Sequence, residues 1–277
     1  MNSSSKVQAS AILAVYNADT TIEACIKSLL AQSLPIEIIC IDDGSTDGTL
    51  KILNQFKKIT VLNQGHAGPA IARNLGAKHA QSNILLFVDA DMTFDPEYVK
   101  ELIAPIQQGQ VIGTYTTEEI VSNWNNIWAR CVNIQEGWQN KKRFPENPPK
   151  YGTDFRAILK SEFVRVGGFD NIGYTDTWSL FHKLGERPLA TKATCYHQNP
   201  DNLKSVFLQA KWSAKRPYKL GIAGIIYALI RTSFLVSIVV GLIYSVREPA
   251  FFTFKIFYDL GRFIGIIEMI FGEKLTK

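Results

Sequence analysis

Short apolar runs alternate with stretches of helical period from Val7 to Val88, and this alternation narrows the fold more than any other feature of the chain. Residues 7–16, 36–41, 59–62 and 84–88 are rich in Ile, Val, Leu and Ala and read as strands. Residues 19–32, 48–56 and 67–80 between them read as helices. In the first, Ile22, Cys25, Ile26, Leu29 and Leu30 share one face, and Asp19 or Thr20 can cap it. Asp47 is placed to cap the second helix, and Pro69 lies in the first turn of the third. Strands separated by helices imply right-handed crossovers. The expectation is therefore an α/β fold, a mainly parallel sheet flanked by helices.

Ligands of such sheets bind beyond the carboxyl ends of the strands, so the residues standing there matter most. They are Ala14-Val15-Tyr16-Asn17, Asp42-Asp43-Gly44-Ser45, Asn63-Gln64-Gly65-His66-Ala67-Gly68 and Asp89-Ala90-Asp91. The last group is the most telling. Two carboxylates one residue apart each raise the other's pKa unless a cation neutralises them, which suggests a site for Mg2+ or Mn2+ and the phosphates such ions accompany. The plainer alternative is that one Asp caps the following turn. Glycines 65 and 68 supply turns, which leaves Asp42 and Asp43 without a structural task.

The ordered set Ala14-Val15-Tyr16-Asn17, Asp42-Asp43-Gly44-Ser45-Thr46-Asp47-Gly48-Thr49, Gly68-Pro69-Ala70-Ile71-Ala72-Arg73-Asn74-Leu75-Gly76, Asp89-Ala90-Asp91 and Val166-Gly167-Gly168-Phe169-Asp170 resembles the motifs of family 2 glycosyltransferases, which have the GT-A fold. The resemblance runs over residues 7–212. It implies an inverting transferase that draws on a nucleoside diphosphate sugar, uridine- or guanosine-linked, with a divalent metal on the diphosphate. By that likeness Ala14, Tyr16, Asn17, Asp42 and Asp43 hold the nucleoside, and Arg73 lies near the nucleotide. Asp89 and Asp91 would then handle ribose and metal. Ala14 stands where the family commonly has proline.

The same likeness extends into the second half. Family members follow the Gly-Gly-Phe-Asp segment with an acidic pair whose Asp is the catalytic base, and the match is Thr175-Asp176, with the first acid lost. Asp176 can take the proton of an acceptor hydroxyl or, alternatively, cap a helix over residues 177–184. His197 lies where some GT-A enzymes place a further metal ligand. Around Trp212 a processive-synthase signature is only half matched, because Leu208 replaces its glutamine and Lys211 its arginine. Residues 124–149, with Trp124, Trp128 and Trp138, match no motif and suit an acceptor-facing excursion.

The chain of 277 residues changes character near its end. Lys204, Lys211, Lys215, Arg216 and Lys219 precede an apolar run over residues 220–246, a placement that suits a membrane surface and not nucleic acid. At about 1.5 Å per residue a helix of that length would cross a bilayer core of about 30 Å. Arg231 interrupts it and, held in mid-lipid, would cost roughly 2.5–3.5 kcal/mol, so it marks an interface, a helix break or a protein-facing position. Residues 250–271 are apolar with a polar stripe of Lys255, Asp259 and Arg262, as in a helix lying in a membrane interface or packed against a partner.

The expected organisation is a flexible start (1–6), a GT-A domain (7–217, with a nucleotide-sugar half to 115 and an acceptor half after it) and membrane-associated helices (218–277). The basic residues would keep the catalytic domain cytoplasmic. Scattered Cys25, Cys40, Cys131 and Cys195 read as reduced core thiols. The acceptor expected is lipid-linked or a cell-surface glycan. A polyprenyl phosphate would dispense with Asp176 as base. A nucleotidyltransferase lacks support for want of an early Gly-rich loop followed by Arg and Lys. A non-catalytic membrane partner that keeps the nucleotide fold is favoured only by Thr175.

Overall fold

A computed structural model describes residues 7–139 and 141–272, with Thr175 and Asp176 described by their backbone alone. Residues 1–6, the expected flexible start, lie outside the described residues. The first elements are β1 (Ala9–Val15), α1 (Ile22–Leu30), β2 (Ile36–Asp42), α2 (Thr49–Leu53), β3 (Thr60–Asn63), α3 (Pro69–His79) and β4 (Ile84–Asp89). There follow β5 (Met92–Phe94), α4 (Tyr98–Gln107), β6 (Gly113–Val121), α5 (Ile127–Glu136), β7 (Ala157–Leu159) and α6 (Lys160–Arg165). A 3₁₀ turn at Gly173–Thr175 leads into α7 (Asp176–Leu184) and β8 (Leu189–His197). The chain continues through α8 (Leu203–Ala214), α9 (Gly221–Arg231), α10 (Phe234–Ser245) and α11 (Phe251–Ile270). Contacts divide it into two compact units, one of residues up to 120 with 147–171 and 176–197, the other of 121–146, 172–175 and 198 onward.

The first unit is built on an 8-stranded sheet of order β3-β2-β1-β4-β7-β6-β8-β5. Strands β3, β2, β1 and β4 run parallel, whereas β7 pairs antiparallel with β4 and β6, and β5 antiparallel with β8. The sheet is therefore mixed, which corrects the expectation of a mainly parallel one. Strands β5 and β7 have 3 residues each, too few to display an alternating pattern in sequence.

Alternation along the longer strands separates two apolar layers. Ala9, Ala11, Leu13 and Val15 join Leu86 and Val88 on one face, under Ile22, Ile26 and Leu29 of α1 and Leu102 and Ile103 of α4. Ile12, Ile41, Leu85 and Phe87 point the other way, against Ala72 of α3, Phe163 of α6 and Leu180 of α7. Two motifs distant in sequence meet on this second side. The Asn74 side chain accepts from Phe169 N at 2.9 Å and donates to Phe169 O at 2.9 Å. Gly168 has φ +72°, and a Cβ there would sit 2.5 Å from Asn74 Oδ1, so only glycine fits.

In the second unit α8 and α11 approach backbone to backbone. A Cβ on Gly261 would lie 2.5 Å from Phe207 O, and one on Gly265 would collide with Lys211 O. A buried cluster joins Cys131, Val132, Val206, Phe251 and Phe254, with Trp128 and Trp138 packed against it, so these two tryptophans serve the core. Ser237 Oγ donates to Asp259 Oδ2 at 2.7 Å, and Lys255 Nζ to Asp259 Oδ1 at 2.9 Å. The stripe expected to face a membrane interface is thus turned inward at Lys255 and Asp259, both under 5 % exposed.

The long apolar run is not one helix. It breaks at Thr232 and Ser233, where Thr232 Oγ1 donates to Ala228 O at 3.0 Å and Ser233 adopts an extended backbone that opens α10. No single described helix is long and apolar enough to cross a membrane. Helices α9 and α10 reach that length only together, bent by 58°. Their outward side chains remain bare, with Ile222 and Leu235 each 77 % exposed.

Candidate active site

The expected site residues of the first unit gather at the carboxyl ends of β1, β2 and β4 and the end of β8. Pairing sets Asp42 beside Val15 and Asp89 beside Ala14, so two acids flank the last residues of β1. Met92 pairs with His197, which brings the Asp91 turn against the end of β8.

The β1 and β2 ends are laced together. Asn17, with φ +48°, accepts from Thr46 N at 2.8 Å through Oδ1, and its own N–H donates to Ser45 Oγ at 3.0 Å. Thr49 Oγ1 accepts from Ala18 N at 2.8 Å, and Asp47 accepts from Thr49 N at 2.9 Å, although Gly48, not Asp47, occupies the cap position of α2. Thr21, not Asp19 or Thr20, occupies the cap position of α1, and it makes no side-chain capping bond.

Asp42 and Asp43 do different work. Asp43 is consumed by the loop after β3: Oδ1 accepts from Gln64 Nε2 at 2.6 Å and Ala67 N at 2.9 Å, Oδ2 accepts from Gly68 N at 3.0 Å, and His66 Nδ1 lies 3.0 Å from Oδ2. Asp42 accepts only a 3.3 Å bond from Ser45 N, and its buried Oδ1 has no hydrogen-bond partner among the described residues. A buried carboxylate oxygen left unmatched is costly, and the N–H of a ligand would relieve it. Above this pair the rings of Tyr16 and His66 stack with centroids 4.1 Å apart.

Asp89 is closed by cations. Arg73 NH2 binds Oδ1 at 2.9 Å and Arg156 NH1 binds Oδ2 at 3.0 Å. Burial alone would raise this carboxyl, but Arg156, Arg73 and His197 outweigh it and hold it far below the usual carboxylate range. Arg156 reaches on to Glu119 at 3.5 Å and Asp154 at 3.6 Å. Burial would lower the guanidinium, yet Asp154, Asp89 and Glu119 keep it well above its ordinary value. Glu119 Oε1 lies 2.6 Å from His197 Nδ1, and His197 Nε2 lies 3.1 Å from Asp91 Oδ1. A connected line of ion-pairing groups thus runs Arg73, Asp89, Arg156, Glu119, His197, Asp91.

Asp91 is the open end of that line, its side chain 43 % exposed against 9 % for His197. Among the described residues no cluster of three or more His, Cys, Asp or Glu could hold a metal by itself. A carboxylate and an imidazole nevertheless suit Mg2+ or Mn2+, which keep most of their shell for water and phosphate oxygen. The backbone of Asp176 opens α7, and its side chain lies outside the described residues. Arg156, Glu119 and His66 were not foreseen. The signal for Arg156 was a lone charge in the apolar stretch Phe155 to Leu159, and for Glu119 an acid on the inward parity of a strand. The four cysteines are buried and unbridged, and burial pushes Cys40 up to about 12.

The strand ends of a mixed α/β sheet thus gather Asp42, Asp43, Asp89 and Asp91 beside a carboxylate–imidazole pair. The profile described as glycosyl transferase family 2 matches residues 10–169, and the chain belongs to that family. A poly(ribitol-phosphate) beta-glucosyltransferase of Bacillus spizizenii is 42 % identical over 30 % of this chain and 14 % of its own length. An uncharacterized glycosyltransferase of Synechocystis is 29 % identical over 64 % of this chain and 61 % of its own. The chain therefore spans less than two thirds of the length of these curated relatives. Among solved structures, Staphylococcus aureus TarS 1-349 in complex with UDP-GlcNAc superposes with TM-score 0.55 at 15 % identity, covering 96 % of this chain and 93 % of that one. A mannosyltransferase of Pyrobaculum calidifontis in complex with GDP-Man and Mn2+ gives 0.60 at 15 %, covering 95 % and 87 %. At such identity the likeness establishes the fold.

Proposed function

We propose that this chain transfers a sugar from a uridine- or guanosine-linked nucleoside diphosphate sugar to a lipid-linked or cell-surface glycan acceptor, with inversion. The observation behind this reading is the division among the strand-end acids: Asp42 keeps a buried unmatched oxygen at the nucleoside end, and Asp91, beside His197, is solvent-exposed at the other. Asp42 Oδ1 would accept the ring N–H of the base, and Tyr16 would stack on it. Asp91 and His197 would hold Mg2+ or Mn2+, whose charge stabilises the departing diphosphate. Asp89 acts through Arg73 and Arg156.

The acceptor oxygen forms its bond to the anomeric carbon as the carbon–diphosphate bond breaks, and the nucleoside diphosphate leaves with the bonding pair. The acceptor proton passes to a base. Asp176 holds that role by family likeness. Two kinds of relative, from Bacillus spizizenii and Staphylococcus aureus, are named as poly(ribitol-phosphate) sugar transferases, which supports a polymeric or phosphate-bearing acceptor.

The reading is tested by thermal stabilisation with uridine, guanosine and thymidine diphosphates and their sugars, with and without Mn2+. A ligand at a hundredfold excess over its Kd adds about 2.7 kcal/mol. A metal-dependent shift lost in Asp91→Ala is expected. No shift with any nucleotide, in folded protein, would move the assignment to a non-catalytic partner.

The bare apolar sides of α9 and α10 favour a membrane location, with Lys219 and Arg231 beside them and the catalytic unit on the cytoplasmic face. The 58° bend suits helices that lie in or re-enter one leaflet. Recovery in a salt-washed soluble fraction without detergent would rule this out.

A further inference from the structure

We propose that Glu119, backed by Arg156, is a positioning residue that fixes His197 and Asp91 as a preassembled pair of ligands for a divalent cation. The inference rests on the metal-assisted reading above and adds the group that aims the ligands.

Glu119 is only 5 % exposed, and a buried carboxylate in an interior strand is expensive unless every oxygen is matched. Here both are. Oε1 faces His197 Nδ1 at 2.6 Å, and Oε2 faces Arg156 NH2 at 3.5 Å. Since a carboxylate can only accept, Nδ1 must be the protonated nitrogen that donates to it. That leaves Nε2 facing Asp91 Oδ1 at 3.1 Å, a second carboxylate contact that needs either a proton on Nε2 or a cation shared between the two atoms. Where a divalent cation takes the place of that proton, the imidazole nitrogen and the carboxylate oxygen are already close enough to share it. The carboxylate behind the imidazole supplies the orientation and basicity that metal-bound histidines generally need.

Arg156 completes the device. Its NH1 holds Asp89 at 3.0 Å and its Nε faces Asp154 at 3.6 Å, so Glu119 is braced by a side chain anchored on two other acids. Glu119 is thereby kept from swinging toward the ion itself, and both oxygens of Asp89 are engaged by guanidinium groups. Asp91 and His197 remain as the protein's contribution, a complement that Mg2+ and Mn2+ accept when phosphate and water fill the rest.

The test is Mn2+ binding followed by electron paramagnetic resonance on the full chain, with Mn2+ alone and then with uridine diphosphate, in wild type, E119A, H197A and the double variant. Loss of such a supporting carboxylate generally weakens metal affinity about 10- to 100-fold. E119A is expected to show that loss, H197A at least as much, and the double variant no more than H197A alone, because Glu119 acts only through His197. Retained binding of metal-free nucleotide would verify folding. If E119A fails to fold, E119Q decides, since it keeps the volume and one acceptor oxygen and is expected to bind Mn2+ more weakly than wild type. Wild-type affinity in a folded Glu119 variant, or losses that add in the double variant, would overturn the positioning role alone. Failure of the wild type to bind Mn2+ in either condition would instead overturn the metal reading, and this inference with it.

Discussion

Arg156 donates to Asp89 at 3.0 Å across 67 positions of sequence, and this one guanidinium ties Asp89 to Glu119 and Asp154. Replacing it by Met would leave three carboxylates facing one another, of which Glu119 is buried. Breaking a buried pair on one side costs about 3–5 kcal/mol, so R156M should show a large drop in Tm, and R156K a smaller one because it restores charge without the fork.

The depressed Asp89 carboxyl sets a pH signature. Its folded pKa lies below the unfolded value of about 3.9, so the ionised pair stabilises the fold above about pH 4, and that contribution is lost as pH falls further toward the folded value. Wild type and D89N melted between pH 3 and 8 should differ by a constant margin above about pH 5, with the margin shrinking below about pH 4. A margin that grew on acidification would contradict the assignment.

Asp42 and Asp43 should separate cleanly. D43A removes the acceptor for Gln64, Ala67 and Gly68 and leaves their donors to water, at about 1–3 kcal/mol of stability. D42N exchanges a buried unmatched oxygen for an amide and should leave the Tm close to wild type or above it, while weakening uridine diphosphate binding. Calorimetric titration beside thermal melts reads both.

Packing in the second unit depends on the α8–α11 approach. G265A forces a methyl into the Lys211 carbonyl, and overpacking of this kind costs about 1–3 kcal/mol. Its melting transition should fall accordingly, with nucleotide binding in the first unit retained.

Bilayer attachment should follow the bare helices. Replacing Ile222, Leu235, Val239 and Leu242 with Ser removes side chains that contact little of the fold, each at least 57 % exposed. The variant is expected to lose flotation with anionic liposomes and to keep its Tm. Equal flotation would assign these faces to another partner.

Much of this was legible in the sequence because it is local. The period of apolar residues placed β1, β2, β3 and β4 within a residue or two of their observed bounds, and the same rule brought Asp42, Asp43, Asp89 and Asp91 to one edge. Strands β5 and β7 were not legible, since 3 residues hold no period. The break at Thr232 was flagged by Arg231 alone, because an unbroken apolar run reads as a helix whatever its hydroxyls do to the backbone.

By itself the sequence determined the alternating α/β order, the polar strand ends and the family motifs, all consequences of backbone periodicity and neighbouring side chains. Only the tertiary structure decided which acids are closed and which are open. Asp89 and Asp91 are two residues apart and chemically identical, yet one is held by Arg73 and Arg156 and the other faces His197. Ion pairing depends on separation through space over a few ångströms, and Arg156 and His197 reach that separation only when β7 and β8 join the sheet.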